Sequence, residues 1–327
     1  MDTFEYCVAI RTLGKAGEKY QALLNSIQKQ TIQPKKILVY IAEGYPLPKE
    51  TIGTEQYIKC PKGMITQRSL PFVEIDTEYT LFCDDDICFP VDFVKKLYDA
   101  LIKSDSDCVS PHILGPEGVI KYNGSRLIRG LMTYEFPRRD DGWAVKVMRN
   151  GSFTYNPHHQ EIMPTESAPG ACLFIKIDAF HAIHFEDERW LEKMKYPIGE
   201  DLLFYYKLFI NGYKVAMVFN TGIRHLDAGT GRTNLPKGWY RKTQMIWFII
   251  PYRMRYNLKN ISKTEKLKCI CSYLLKMTEQ FLVLPLRIIH HKRISYLLEF
   301  FKGIQDGYRY VHSEEYKKIP FFDAYHK

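Results

Sequence analysis

Short apolar runs alternate with amphipathic stretches along the first two thirds of the chain. Residues 6–10 are continuously apolar and read as a buried strand. Residues 17–30 set Tyr20, Leu23, Leu24 and Ile27 at helical spacing on one face, and residues 36–41 form a second apolar strand closed by Glu43-Gly44. Strand, helix and strand within about 40 residues make a βαβ unit, which implies a parallel sheet. A loop through Pro46 and Pro48 leads to a short strand near Tyr57-Ile58. Residues 64–75 read as helical around Ile65, Leu70 and Phe72, with Pro71 disturbing the pattern. A strand at 79–83 follows, then a helix opened by Pro90 through Phe93, Val94, Leu97 and Leu101, and a strand at 108–110. Residues 111–168 are rich in Gly, Pro, Arg and aromatics and yield only short strands and long loops. Residues 171–176 are a strong strand, and 186–200 a loop with one turn around Trp190. Glu200-Asp201 opens a helix through Leu203, Tyr206 and Leu208 that stops at Asn211-Gly212. The last core strand, 213–218, runs on to Arg224-His225 and a loop, Gly229-Thr230-Gly231-Arg232. Beyond Pro236 the pattern becomes helical and basic.

A chain of 327 residues, 46% apolar and 14% aromatic, supports a sizeable core and argues against wholesale disorder. The eight cysteines include no CxxC pair, and a chain of this size needs no stapling. The first residues lack the basic and apolar stretches of a signal peptide. The longest uninterrupted apolar run near the C-terminus, 245–250, is too short to cross a bilayer. The expected location is therefore the cytoplasm or its surfaces.

Charge divides the chain. Residues 1–236 hold 28 Lys and Arg against 30 Asp and Glu, whereas residues 237–327 hold 18 against 7. Two regions follow: a nearly neutral one, 1–236, and a basic, mainly helical one, 237–327.

The strand at 79–83 ends in Asp84-Asp85-Asp86. Adjacent carboxylates repel, so the cluster is either a solvated acidic turn or a cation site. On an extended backbone Asp84 and Asp86 would share a face and could grip one divalent ion together with substrate diphosphate oxygens, as Mg²⁺ favours.

These elements, taken in order, resemble the family 2 glycosyltransferases, which have the GT-A fold. The resemblance rests on Arg11-Thr12 after the first strand and Glu43 after the second, then Gly63, Gln67-Arg68 and the aspartates. It continues with Gly170-Ala171 before a strand, Gly199-Glu200-Asp201 opening a helix, and His225 after the last strand, over roughly residues 4–235. The chain departs from the family's usual pattern at Ala42-Glu43-Gly44-Tyr45 and at Arg68-Ser69.

The resemblance implies a Rossmann-like, mostly parallel α/β sheet flanked by helices, and a nucleotide-sugar donor carrying UDP, dTDP or GDP. Mn²⁺ or Mg²⁺ would be the cofactor, with Asp86 as direct ligand, Asp84 on the ribose or on metal-bound water, and His225 as a second ligand. Asp85 belongs to the same donor-binding cluster. Asp201 would be the general base, with inversion at the anomeric carbon; helix capping is the other reading of Glu200-Asp201 and suits Glu200 better. Thr12 and Glu43 would contact the nucleotide from the carboxyl ends of their strands. Arg68 would pair with the diphosphate or cap the base, or else is a surface ion pair. Arg232 is a candidate diphosphate clamp on a lid, and Gly170-Ala171 lets substrate approach the backbone or is a plain turn.

Residues 237–293 carry 13 Lys and Arg against Glu265 and Glu279, with Leu267, Ile270, Leu274, Phe281 and Leu282 interleaved. A basic amphipathic helix of this kind reads as an element on an anionic membrane surface, near a glycan or lipid-linked acceptor. The same residues would also suit a helical cap on the first region. No recognised nucleic-acid module is present, and no nucleic-acid partner is expected. The rival readings are a sugar nucleotidyltransferase on a similar sheet and a non-catalytic metal- or lipid-binding module. Gly14-Lys15-Ala16-Gly17 is a faint echo of the loop a nucleotidyltransferase would carry.

Overall fold

The computed structural model describes residues 4–113, 141–156, 159–193, 198–226 and 238–326. Eight of the described strands form one sheet: β1 (Tyr6–Thr12), β2 (Lys36–Ala42), β3 (Glu55–Cys60), β4 (Tyr79–Asp84), β6 (Cys108–Pro111), β9 (Ile162–Pro164), β10 (Cys172–Lys176) and β11 (Val215–Val218). Their order is β3-β2-β1-β4-β10-β6-β11-β9. β1, β2, β3 and β4 pair in parallel, as do β6 and β11. β10 runs antiparallel between β4 and β6, and β9 is an antiparallel edge strand. Two small ladders complete the strands: β5 (Ile87–Cys88) with β12 (Arg224–His225), and β7 (Val145–Val147) with β8 (Phe153–Tyr155).

Alternate strand residues feed two apolar layers, as the period of two requires. Val8, Ile10, Leu81, Cys83 and Phe174 face α1 (Glu18–Gln28) and α3 (Phe93–Lys103). α1 buries Tyr20, Leu23, Leu24 and Ile27, the four residues its periodicity marked. Ala9, Phe82, Leu173 and Ile175 face the opposite layer, with α4 (Ile177–Ala182) and α5 (Glu200–Ile210).

α2 spans only Met64–Arg68, shorter than the expected 64–75. The residue before a proline avoids helical dihedrals, so Pro71 ends the pattern early. Phe72 takes a positive φ of 45° beyond it and packs edge-on against Tyr40 and Phe82. The expected loop at 186–200 contains a 3₁₀ helix, Phe185–Lys193. Phe185, Glu188 and Leu191 are buried at the three-residue spacing of that helix.

The C-terminal helices share the main core. α6 (Trp239–Pro251) contributes Ile246, Ile249 and Ile250 to the α4/α5 layer, and the tail adds Val311, Tyr316 and Phe322. A buried ionic knot fastens this arrangement. Glu188 lies 2.9 Å from Arg253 Nη2 and 3.2 Å from Lys207 Nζ, and none of the three side chains is exposed. Arg253 Nη1 also donates to the carbonyl of Pro320, and Asn211 Nδ2 donates to that of Phe322 at 3.1 Å.

α7 (Lys263–His291) has an inverted pattern, and α8 (Ser295–Val311) lies against α6 and α7. Leu275, Leu282 and Ile289 of α7 are at least 70% exposed, while Lys276 and Gln280 are buried. α7 is long and apolar enough, by length and composition, to cross a membrane. Its uninterrupted apolar runs are short, because polar residues such as Lys268, Lys276 and Gln280 recur along it.

Candidate functional site

The site forms where β1, β4 and β10 meet. Arg11 pairs in register with Asp84 across β1 and β4. Because β10 runs backwards, its start reaches the carboxyl end of β4, and Asp84 N–H donates to the Ala171 carbonyl at 2.8 Å. Gly170-Ala171 therefore lies at the site as a backbone wall.

Asp84 closes β4, and Asp85 and Asp86 form the turn into β5. The expectation of an extended backbone across all three aspartates fails here, and Asp84 and Asp86 do not share a strand face. The turn sends the carboxylates to three separate partner sets, which lessens their repulsion. Asp84 receives Arg11 Nη2 at 2.9 Å and Arg68 Nη2 at 3.3 Å. Thr12 Oγ1 donates to Asp85 Oδ2 and accepts from the N–H of Gly14 at 2.7 Å. Burial, together with Asp86 and Asp84, pushes the Asp85 carboxyl up to about 6.

Asp86 Oδ1 lies 3.3 Å from His225 Nε2. The β5–β12 ladder holds this pair, with Ile87 opposite His225 and the Leu226 N–H on the Asp86 carbonyl at 2.7 Å. A carboxylate and an imidazole together suit Mn²⁺. Among the described residues no three His, Cys, Asp or Glu side chains converge on one point. A cation here would take its remaining oxygens from water and a diphosphate, as such ions commonly do. The residues therefore fit a divalent ion held by Asp86 and His225. Asp84 has its two oxygens engaged by arginines.

Arg68 sits on α2 and reaches across the site. Its Nη1 lies 2.8 Å from Asp201 Oδ1 and 3.4 Å from the Gly170 carbonyl. Burial opposes the charge of Arg68, and Asp84 and Asp201 more than offset it, so its proton is held more tightly than usual. A Cβ on Gly170 would land on Asp201 Oδ1 and Arg68 Nη1. The glycine makes room for this ion pair. Gly199, with φ of 78°, caps α5, and Glu200 and Asp201 fill the first turn, where carboxylates complement the helix dipole. Burial first, then the charge of Asp201, raises the Glu200 carboxyl to about 7.

Glu43 is exposed at the end of β2 and stands apart from this network. Arg232 lies outside the described residues. The sequence reading passed over Arg11 as a site residue, and its signal was a cation at the end of an otherwise apolar strand. It also passed over Glu192, whose Oε1 accepts the N–H of Thr66 at 3.0 Å and so secures the start of α2, the helix that carries Arg68.

A cavity of about 750 Å³ opens beside Asp201. Pro169 and Leu202 of the first region and Gln244, Trp247 and Lys276 of the C-terminal helices line it. It is large enough for one or two sugar rings.

No protein-family model matches the sequence, and no curated protein matches it. Solved structures do. A structure of GalNAc-T7 with UDP, GalNAc and Mn²⁺ superposes with a TM-score of 0.54 at 14% identity, over 83% of this chain. The match covers 55% of that longer chain. A structure of S. aureus TarS 1-349 superposes with a TM-score of 0.54 at 12% identity, over 94% of this chain and 81% of the other. The same TarS fragment in complex with UDP-GlcNAc gives 0.51 at 12% identity, over 97% and 84%. The likeness shows that the fold is GT-A.

Proposed function

We propose that this chain is a metal-dependent, inverting glycosyltransferase that moves a sugar from a nucleotide-sugar donor to a hydroxyl of a glycan or lipid-linked acceptor. The observation that carries this reading is the convergence of three parts at the carboxyl edge of β1 and β4. They are the Asp86–His225 pair, the arginines Arg11 and Arg68, and Asp201 at the mouth of the cavity. The UDP and Mn²⁺ bound in the GalNAc-T7 structure and the UDP-GlcNAc in that of TarS support a UDP-linked donor and a manganese ion for this fold.

A bound divalent ion would neutralise charge developing on the departing diphosphate. The chain supplies the rest. Arg68 offers a bidentate guanidinium to the same diphosphate. Thr12 fixes Asp85 within the acidic turn. Asp201 takes the proton of the attacking hydroxyl, and as the single base it fits one displacement with inversion. Glu43, exposed just beyond β2, would contact the nucleoside in this reading.

Incubation with UDP-, GDP- and dTDP-sugars and Mn²⁺ tests this reading. Slow, metal-dependent release of a nucleoside diphosphate is expected, with the freed sugar inverted by proton NMR and release lost in Asp86→Ala. Absence of release from every donor would remove the reading.

The outward face of α7 supports a second element, attachment to the cytoplasmic leaflet. Leu274, Leu275, Phe281, Leu282, Leu286 and Ile289 stand exposed, with Lys266 and Lys268 exposed on the same helix. Such a face gains from acyl chains and anionic headgroups together. α7 lies along the surface in this reading, because its polar inner face borders the cavity. Flotation with anionic vesicles at low salt is expected, and its absence would refute attachment.

A further inference from the structure

The loops that follow β1, β2 and β3 meet at Tyr45, just beyond the end of β2. Lys62, beyond β3, donates to the Tyr45 hydroxyl at 2.7 Å, with its Nζ 5.0 Å from the ring centre. The two distances set Lys62 at the hydroxyl edge of the ring rather than over its face. Lys15, beyond β1, holds its Nζ 4.8 Å from the same centre. Lys59 donates to the Tyr45 carbonyl at 2.6 Å. All three lysines are exposed, and Tyr45 is half-buried. No carboxylate among the described residues pairs with Lys15, Lys59 or Lys62. The hydrogen bond from Lys62 draws the Tyr45 phenol below its ordinary pKa.

This cluster stands at the carboxyl ends of its strands, where open α/β sheets bind ligands. β2 lies two places from β4 in the sheet, so their ends are roughly 10 Å apart, two strand spacings. That is comparable to the reach from the diphosphate of a nucleotide to its base. Contacts join the two places. Thr12 Oγ1 donates to Asp85 and accepts from the N–H of Gly14. Gly14 takes a φ of 68°, and a Cβ there would lie 2.7 Å from the Pro46 carbonyl. Only glycine allows this approach, which brings Lys15 to the loop of Tyr45.

The geometry points to a nucleobase seat at Tyr45, for a base that carries a carbonyl oxygen beside a ring N–H. Uracil, thymine and guanine present that edge, whereas cytosine and adenine present an amino group beside a bare ring nitrogen. Lys62 has donors to spare after its bond to Tyr45, and an ammonium only donates. It favours the carbonyl oxygen and opposes the amino group. Glu43, exposed beside it in the same loop as Tyr45, accepts from the ring N–H and repels a bare ring nitrogen. The Tyr45 ring supplies a stacking partner, and lysines without carboxylates attract the anionic nucleotide. The seat rests on the transferase reading for the presence of a nucleotide. The stretch 42–45 is also where the chain departs from the pattern of the family it resembles, so its base preference comes from its own side chains.

Calorimetry on the full chain with Mn²⁺ tests the seat, with UDP and CDP as probes that differ only at this edge. UDP is expected to bind at least about tenfold more tightly than CDP, the scale of one mismatched base contact. Lys62→Met should cost UDP about tenfold and CDP little, and so narrow the ratio. Lys62→Arg should preserve it. Tyr45→Ala should weaken both probes, because stacking serves either base. Unchanged urea midpoints in the variants show an intact fold. Equal affinity for UDP and CDP, or a ratio unchanged in Lys62→Met, overturns the inference and leaves the transferase reading in place. Failure of every nucleoside diphosphate to bind removes the transferase reading, and the seat with it.

Discussion

Arg68 ties Asp84 to Asp201. One guanidinium lies 3.3 Å from the first carboxylate and 2.8 Å from the second, so the end of β4 and the start of α5 are held together by a single side chain from α2. In the proposed reaction an incoming diphosphate would compete for the same cation. Donor binding would thus release Asp201 toward the acceptor hydroxyl.

Replacing Asp201 with Asn should separate binding from chemistry. Transfer is expected to fall by about two to four orders of magnitude, the usual worth of a positioned general base. Donor affinity, measured as UDP binding with Mn²⁺, should hold or rise, because Asp201 no longer competes for Arg68. Arg68→Met should instead weaken UDP binding as well. Equal loss of donor binding in both variants would place Asp201 in the donor site.

Gly170→Ala drives a methyl group into the Arg68–Asp201 pair. We expect transfer to drop by roughly 10²-fold, because small misplacements of catalytic groups are costly. Stability should fall by only about 1–3 kcal/mol in urea titrations, the ordinary cost of overpacking. Wild-type turnover in this variant would show that the pair tolerates displacement.

Glu200 makes stability depend on pH. Its carboxyl stands at about 7 in the folded chain against 4.5 in the open one. The folded state therefore holds a proton that the unfolded state has released between these values. Its contribution is fully present below pH 4.5 and is lost as pH rises through 7. Urea midpoints across this window should decline with pH in the wild type and decline less in Glu200→Gln. Parallel curves for the two proteins would contradict the assignment.

Glu188→Ala leaves Arg253 and Lys207 buried without their shared carboxylate. Breaking a buried ionic group in this way costs about 3–5 kcal/mol. The loss should appear in urea denaturation, with faster proteolysis of the tail, whose Pro320 carbonyl Arg253 holds. A change below 1 kcal/mol would mean that water reaches the knot.

Where burial alone set the structure, the sequence was readable. The four residues of α1 and the strands β1, β2, β4 and β10 follow directly from apolar periodicity. The site was readable in part. Thr12, Arg68, Asp84, Asp85, Gly170 and Asp201 come together, and Asp86 meets His225 beside them. What escaped depends on contacts across distant segments. Arg11 finds Asp84 through strand register, and the 3₁₀ helix is a polar string apart from Phe185, Trp190 and Leu191. α7 and its exposed apolar residues read as a basic amphipathic helix; what escaped is its inner face, where Lys276, Gln280 and Arg287 line a cavity that exists only once α6 and the sheet are in place. The chain turns at Asp85-Asp86 instead of continuing as a strand, and the carboxylates go to separate partners.

The most direct test of the central claim is anomalous diffraction at the manganese edge, from crystals grown with UDP and Mn²⁺. A single strong peak is expected within bonding distance of Asp86 Oδ1 and His225 Nε2, bridged to the diphosphate oxygens. A diphosphate bound with no peak at these two side chains, or a peak on other residues, would contradict it.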